Sequence, residues 1–83
     1  MKEFDKYTIN DFCESDILDF WAEFTGGEVR KDYHSGVVVA LDWGGSTTYP
    51  DEESAASDRL DTIIEWAKEG EEAAIAFLQE SGF

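Results

Sequence analysis

Cysteine, proline and basic side chains are all scarce in this sequence of 83 residues. The one cysteine, Cys13, excludes an internal disulfide framework. Six Lys and Arg residues stand against 20 Asp and Glu residues, which gives a formal net charge of -14 at pH 7. This charge excludes direct binding to nucleic acid, which depends on Lys and Arg neutralising phosphates. It also argues against binding to anionic membrane surfaces.

Long hydrophobic runs are absent as well. The longest uncharged apolar run, Val37 to Leu41, is far short of the roughly 20 residues that a membrane-spanning helix needs. No charged and then apolar leader opens the chain, so we expect a cytoplasmic protein. The length predicts one small acidic domain over residues 1–83, and 42% hydrophobic residues are enough for a packed core.

Groups that carry catalysis are equally few, with one histidine and one cysteine. We expect His34 to be an exposed turn residue and Cys13 to be a small buried hydrophobe on a helix. The acidic run at 51–53 with Asp58 lacks the alternation, central glycine and closing glutamate of a calcium loop. The sequence therefore predicts a protein that is not an enzyme and has neither a cofactor nor a metal site.

The first periodic segment runs from Thr8 to Phe24 and has the spacing of an amphipathic helix. Gly26 and Gly27 are expected to end it, and a second start at Ser15 or Asp16 leaves two shorter helices open. Its apolar positions are Ile9, Phe12, Cys13, Ile17, Phe20, Trp21 and Phe24.

From Glu28 the period changes to two, which predicts a β-hairpin with its connection at His34 to Gly36. Ser46 to Tyr49 follow as a loop or a short third strand. The period of two fixes which side of the second strand faces inside. We expect the side with Val37, Val39, Leu41 and Trp43 to face the core.

Two helices complete the chain. One begins near Pro50 and ends at Gly70, with Ala56, Leu60, Ile63, Ile64 and Ala67 on its apolar face. The other covers Glu71 to Gln79 and presents Ala74, Phe77 and Leu78. The predicted fold class is α+β, with an N-terminal helix, an antiparallel hairpin and two C-terminal helices packed on one sheet face.

The carboxylates recur at helical spacing and form two acidic stripes. Trp66 lies beside the stripe in the second half of the chain, and it either packs on the last helix or anchors an interface. Such crowding is expected to raise carboxyl pKa values. The predicted partner-binding residues are Asp11, Glu14, Asp19 and Glu23 on the first helix, and Asp58, Asp61, Glu65, Trp66, Glu69 and Glu72 in the second half.

Size, charge and these stripes resemble the small acidic inhibitors of phages and mobile elements that mimic DNA, among them anti-CRISPR and anti-restriction proteins. The resemblance covers the whole chain and depends on no sequence motif. It implies a non-enzymatic inhibitor that binds the basic nucleic-acid groove of a nuclease or of a CRISPR or restriction effector. The expected partner is thus a basic nucleic-acid-binding protein, met in the host cytoplasm if a phage encodes the chain.

Two alternatives remain open. The segments from Tyr7 to Phe12 and from Tyr49 to Gly70 are similar to parts of the colicin-nuclease immunity proteins, a family that is all helical. Here a hairpin stands where that family has its acidic second helix, and Thr48 precedes Tyr49 where it has a second tyrosine. The other alternative is a salt-adapted acidic domain, because acidic surfaces also serve solubility.

Overall fold

Residues 3–81 are described by a computed structural model, and they form the predicted α+β fold. Three helices pack beside one antiparallel sheet, and the third strand that the sequence left open is present. After 3-10 turns at Phe4–Lys6 and Ile9–Asp11, the elements are α1 Glu14–Thr25, β1 Glu28–Lys31, β2 Val38–Asp42, β3 Gly45–Tyr49, α2 Glu52–Lys68 and α3 Glu72–Ser81.

The N-terminal periodic segment is two pieces rather than one helix. Thr8 caps the 3-10 turn at Ile9–Asp11, where its backbone N–H donates to Asp11 Oδ2 at 2.9 Å. Phe12 and Cys13 are then extended, and α1 begins at Glu14. The alternative of two separate pieces is therefore the one observed, although α1 begins at Glu14, before the predicted second start at Ser15 or Asp16.

This break explains why the prediction for Cys13 is wrong. Helical spacing places Cys13 on the apolar face only if the helix is continuous through it, and Cys13 is instead the exposed N-cap residue of α1. Phe12 is buried in its place, and its ring stacks on that of Phe77 with a centroid distance of 5.2 Å. In α1 itself Ile17, Leu18 and Trp21 are buried.

The sheet is a meander in the order β1-β2-β3. The connection between β1 and β2 covers 32–37, which is longer than the three predicted residues. Asp32 holds it, because its carboxylate accepts the backbone N–H of His34 at 2.9 Å and the hydroxyl of Ser35 at 3.0 Å. Gly36 has a φ of 81°, a left-handed conformation that favours glycine.

The side of β2 that faces the helices is opposite to the predicted one. Val38 and Ala40 are 1% and 3% exposed and belong to the core, whereas Val39 and Leu41 are half-buried and Trp43 is 95% exposed. Tyr49, paired with Val38, is buried on the same inner side. Since residues 37–41 are apolar on both sides, alternation alone cannot choose a side, and the packing of α2 against the sheet decides it.

The longest helix, α2, forms largely as its pattern predicts. Asp51 is its N-cap and accepts the backbone N–H of Ser54 at 2.7 Å, so Pro50 lies just before the helix. Gly70, with a φ of 94°, follows its C-cap. Its buried residues are Ala55, Ala56, Leu60, Ile63, Ile64 and Ala67.

Helix α1 approaches the sheet closely where it ends. Gly26 is in the left-handed conformation with a φ of 74°, as expected of a C-cap glycine. A Cβ on the next residue, Gly27, would lie 2.4 Å from the Leu41 carbonyl oxygen and 3.2 Å from the Trp21 ring. Only glycine fits at position 27 without a shift of the backbone. Gly26 and Gly27 together therefore allow the end of α1 to approach the backbone of β2 closely.

Candidate acidic interface

The outer side of α2 carries a row of carboxylates, Asp58, Asp61, Glu65 and Glu69, which we call the acidic α2 face. All four residues are exposed, and Glu69 is the C-cap of the helix. Glu72, also exposed, opens α3 beyond the turn at Gly70. The row lies opposite the buried side of α2 because its spacing of three and four residues follows the helical repeat.

Asp58 differs from the other residues of this face because its carboxylate is bonded to the side chains of Tyr49 and Arg59. Its carboxylate accepts the hydroxyl of Tyr49 and lies 2.7 Å from Nη2 of Arg59. The hydrogen bond from Tyr49, followed by that from Arg59, lowers the pKa of Asp58 below its usual value. Burial, together with the same bond to Asp58, raises the pKa of Tyr49.

Arg59 links α2 to the sheet and to α1. Its guanidinium carbon lies 4.9 Å from the centroid of the Trp21 ring and 5.7 Å from that of Tyr49. Nη2 donates to the Tyr49 hydroxyl at 2.6 Å, and only 15% of the side chain is exposed. Burial opposes the charged form, but the contacts with Asp58 and Tyr49 raise the pKa of Arg59 overall. This cation therefore stabilises the fold and is not free to neutralise the rest of the acidic α2 face.

Three further cations, Arg30, Lys31 and Lys68, also have acidic neighbours. Arg30 pairs with Glu28 at 3.1 Å, Lys31 pairs with Glu52, and Lys68 lies 3.9 Å from Glu65. Within residues 3–81, no ion pair or side-chain hydrogen bond is found for Asp61, Glu69 or Glu72. Along the acidic α2 face and its continuation at Glu72, these three carboxylates therefore have charge available to a partner.

A shallow depression of about 370 Å³ adjoins the N-terminal half of this face. Ile9 from the second 3-10 turn forms one wall, and α2 contributes Glu53, Ser54, Ser57, Asp58 and Asp61. Glu53 was not among the predicted site residues, because helical spacing within α2 cannot show that Ile9 packs beside it. Its position two turns before Asp61 was the available signal.

The four acids predicted on the first helix do not form one stripe. Asp19 and Glu23 are exposed on the outer side of α1, together with Asp16. Glu14 is half-buried at the first residue of the helix, and Asp11 lies in the preceding 3-10 turn, where its carboxylate accepts the backbone N–H of Thr8. The outer side of α1 is therefore shorter and less acidic than the outer side of α2.

The directions of the carboxyl pKa shifts are opposite to those that crowding predicts. In addition to Asp58, the pKa values of Asp32 and Asp51 are lowered, each mainly by a hydrogen bond from a backbone N–H. That N–H belongs to His34 in the first case and to Ser54 in the second. Local hydrogen bonding to the ionised form outweighs repulsion between neighbouring acids at these positions.

The aromatic residues near the site have different environments. Trp66 is half-buried, and its ring lies 4.7 Å from that of Phe24 of α1, so the ring contact is with α1 rather than with the last helix. Trp43 and Tyr33 are 95% and 92% exposed, and both lie in connections beside the sheet. Trp43 and Tyr33 are thus remote in sequence from the acidic α2 face, whereas Phe24, which is 40% exposed, contacts Trp66 on α2.

Residues that could serve other chemistry are dispersed in the structure. His34 is exposed in the connection between β1 and β2, as predicted, and Cys13 caps α1. No group of three or more His, Cys, Asp or Glu side chains within residues 3–81 is arranged to hold a metal ion. Over the same residues, none of the helices has the length and apolar character needed to cross a membrane.

The geometry of the chain is the basis for its functional assignment, because comparison with other proteins contributes no relative. The all-helical fold implied by the resemblance to colicin-nuclease immunity proteins is not the fold observed, since the chain between α1 and α2 forms a sheet of three strands. Comparison with protein-family models, curated proteins and solved structures finds no match for this chain.

Proposed function

We propose that this protein is a non-enzymatic inhibitor that binds the basic nucleic-acid groove of a nuclease or of a CRISPR or restriction effector. It excludes DNA or RNA from that groove by charge mimicry. The observation that carries the proposal is the acidic α2 face, an exposed row of carboxylates on the longest helix of a chain with a net charge of -14.

The spacing of this face supports the proposal. Carboxylates three or four residues apart are separated by about 4.5 to 6 Å along a helix axis. A nucleic-acid strand carries one phosphate per about 3.4 Å of axis, so neighbouring carboxylates match one to two phosphate steps. A groove lined with Lys and Arg therefore meets a similar density of negative charge on the acidic α2 face and on a nucleic-acid strand.

The supply of unpaired charge supports it as well. Asp61, Glu69 and Glu72 form no ion pair among the described residues, so binding to a basic surface breaks no internal ion pair there. Uncompensated acid also speeds association, because a charged surface steers an oppositely charged partner. Asp58 serves mainly to hold Arg59 and Tyr49, which leaves recognition to its neighbours.

The test compares two variants with the same net charge. In the first, Asp61→Asn, Glu65→Gln and Glu69→Gln neutralise the acidic α2 face and leave Asp58 in place. In the second, Glu28→Gln, Asp32→Asn and Asp42→Asn remove three charges from the strands and connections of the sheet. Both variants and the parent serve as tagged baits in a bacterial lysate at low salt, followed by mass spectrometry.

We expect the parent and the sheet variant to retain a nucleic-acid-binding protein that added DNA or RNA displaces. The α2 variant should bind that protein at least about 30-fold more weakly, since one broken buried charge pair costs on the order of 2 kcal/mol. Equal retention by all three baits, or a retained protein that nucleic acid does not displace, would contradict the proposal.

Salt adaptation is a competing explanation of the same charge, and it makes a different prediction. A salt-adapted acidic domain needs molar salt to screen its own repulsion, whereas an inhibitor of this kind folds at low ionic strength. Circular dichroism in dilute buffer, with and without molar NaCl, separates the two. A chain that is unfolded in dilute buffer would favour salt adaptation.

A further inference from the structure

The side of the sheet that faces away from the helices has no described element packed on it. Alternation and strand register place Glu28, Arg30, Val39, Leu41, Ser46 and Thr48 on this side, which we call the sheet outer face. Val39 and Leu41 are only half-buried and lie outside the core. Trp43, just beyond the end of β2, is 95% exposed.

The sheet outer face is electrically neutral in a strongly acidic protein. Its two charged side chains, Glu28 and Arg30, pair with each other through a hydrogen bond of 3.2 Å and a contact of 3.1 Å. The three strands together carry two acids and two bases, Glu28, Asp42, Arg30 and Lys31, so they contribute nothing to the net charge of -14.

A small pocket adjoins Trp43 at one end of this face. It has a volume of about 220 Å³ and is lined by Gly26, Gly27, Glu28, Leu41, Asp42 and Trp43 itself. An exposed aromatic side chain beside a pocket on the same surface makes that surface self-complementary. In a pair with twofold symmetry, the Trp43 of each copy can meet the pocket of the other.

We propose that a second copy of this chain binds the sheet outer face and forms a symmetric dimer with the two sheets packed against each other. A basic protein would be attracted instead to the acidic helices on the opposite side, whereas a second copy presents a neutral face with the same exposed tryptophan and pocket. In the dimer both acidic α2 faces point away from the contact, so the two sets of carboxylates are kept apart. The contact itself brings together neutral and apolar groups.

Sedimentation equilibrium of the full chain tests this proposal from micromolar to millimolar concentration. We expect the mass to rise from 9.4 kDa toward twice that value. Added NaCl should leave this association unchanged or strengthen it, because salt screens the repulsion between the acidic copies without weakening an apolar contact. Circular dichroism of each variant confirms that it is folded.

Two variants with the same chemical change locate the contact. Trp43→Asp adds a charge and removes the aromatic ring from the sheet outer face, and it should weaken dimerisation at least tenfold. Tyr33→Asp makes the same kind of change at a 92% exposed residue that lies near Lys31 and Glu52, on the helix side of the sheet, and it should dimerise as the parent does.

Three results would overturn the proposal. One is a parent chain that stays monomeric at millimolar concentration in low and high salt. A second copy would then not be the partner of the sheet outer face, and a different protein would have to bind it. Another is equal association of the parent and Trp43→Asp. The third is an association that NaCl weakens, because that would assign the contact to ion pairs rather than to this neutral face.

Discussion

The outer side of α2 and the outer face of the sheet divide the surface of this protein into two chemically different regions. On α2, exposed carboxylates follow the helix while aliphatic side chains on the other side are buried. On the sheet, the one acid and the one base of the outer face neutralise each other, and Val39, Leu41 and Trp43 remain accessible. Negative charge is thus concentrated on the helices, and accessible apolar surface on the sheet.

This difference indicates that the acidity is not a uniform coating for solubility. A uniform coating would give the strands a net negative charge as well, whereas their two acids and two bases cancel. The two regions suit different kinds of contact, since α2 can attract a basic surface over a distance and the sheet outer face can act only on contact.

The largest expected contrast is between two tryptophans, Trp21 and Trp43. Trp21→Ala removes a ring that is 1% exposed and supports Arg59, so it should lower the free energy of unfolding by about 3 to 5 kcal/mol. Trp43→Ala removes a ring that is 95% exposed and should change it by less than about 0.5 kcal/mol. Urea unfolding at micromolar protein concentration measures both, and similar losses would show that the two regions are not distinct.

A finer contrast uses two adjacent valines on opposite sides of β2. Val38→Ala leaves a cavity against α2 and should lower the free energy of unfolding by about 2 to 3 kcal/mol. Val39→Ala removes the same atoms from the half-buried outer side and should cost less than about 1 kcal/mol. Both variants lose the same β-branched side chain, so strand propensity cancels. A larger loss of stability for Val39→Ala than for Val38→Ala would mean that the side of β2 predicted from the sequence is the buried one.

The smallest contrast separates Asp58 from its neighbour Asp61 by pH. Because the pKa of Asp58 is lowered in the folded protein, its contribution to stability is present above its unfolded pKa and is lost as pH falls through the folded value. Asp58→Asn should cost about 0.5 to 1 kcal/mol at pH 7, a modest value because the carboxylate is half exposed.

The matched control is Asp61→Asn. The Asp61 side chain has no partner among the described residues, so the free energy of unfolding of this variant should stay within about 0.5 kcal/mol of that of the parent. Urea unfolding at a series of pH values from 7 to 3 follows both variants. The difference between the parent and Asp58→Asn should shrink below about pH 4, where the carboxyl becomes protonated in the unfolded chain. A difference that stays constant over this range would mean that the ionised form of Asp58 makes no favourable contact.

Helix α2 could be predicted from the sequence because its two sides differ sharply in polarity. Every residue expected on its apolar side, such as Leu60 and Ile63, is buried, and Asp61 and Glu65 are exposed as expected. Strand β2 could not be assigned in the same way, because five consecutive apolar residues at 37–41 satisfy either orientation. The choice depends on which side α2 covers, and a period within one strand does not contain that information.

The candidate site was predictable to the same limited extent. Helical spacing identified the row from Asp58 to Glu69, but it could not reveal that Tyr49 and Arg59 hold Asp58, because Tyr49 belongs to a strand. It also placed Asp11 in a helix that begins only at Glu14. Contacts between elements, and the exact starts of elements, are decided by packing that local patterns do not encode.

The sequential order of the strands also affects how the chain folds. Each strand pairs with the strand before or after it in sequence, across connections at 32–37 and 43–44. Closing such short loops costs little chain entropy, and domains with many local contacts fold rapidly. An unfolded chain with a net charge of -14 is expanded by its own repulsion, which penalises distant pairings most. A meander avoids those pairings, so refolding on the order of milliseconds is compatible with this degree of acidity.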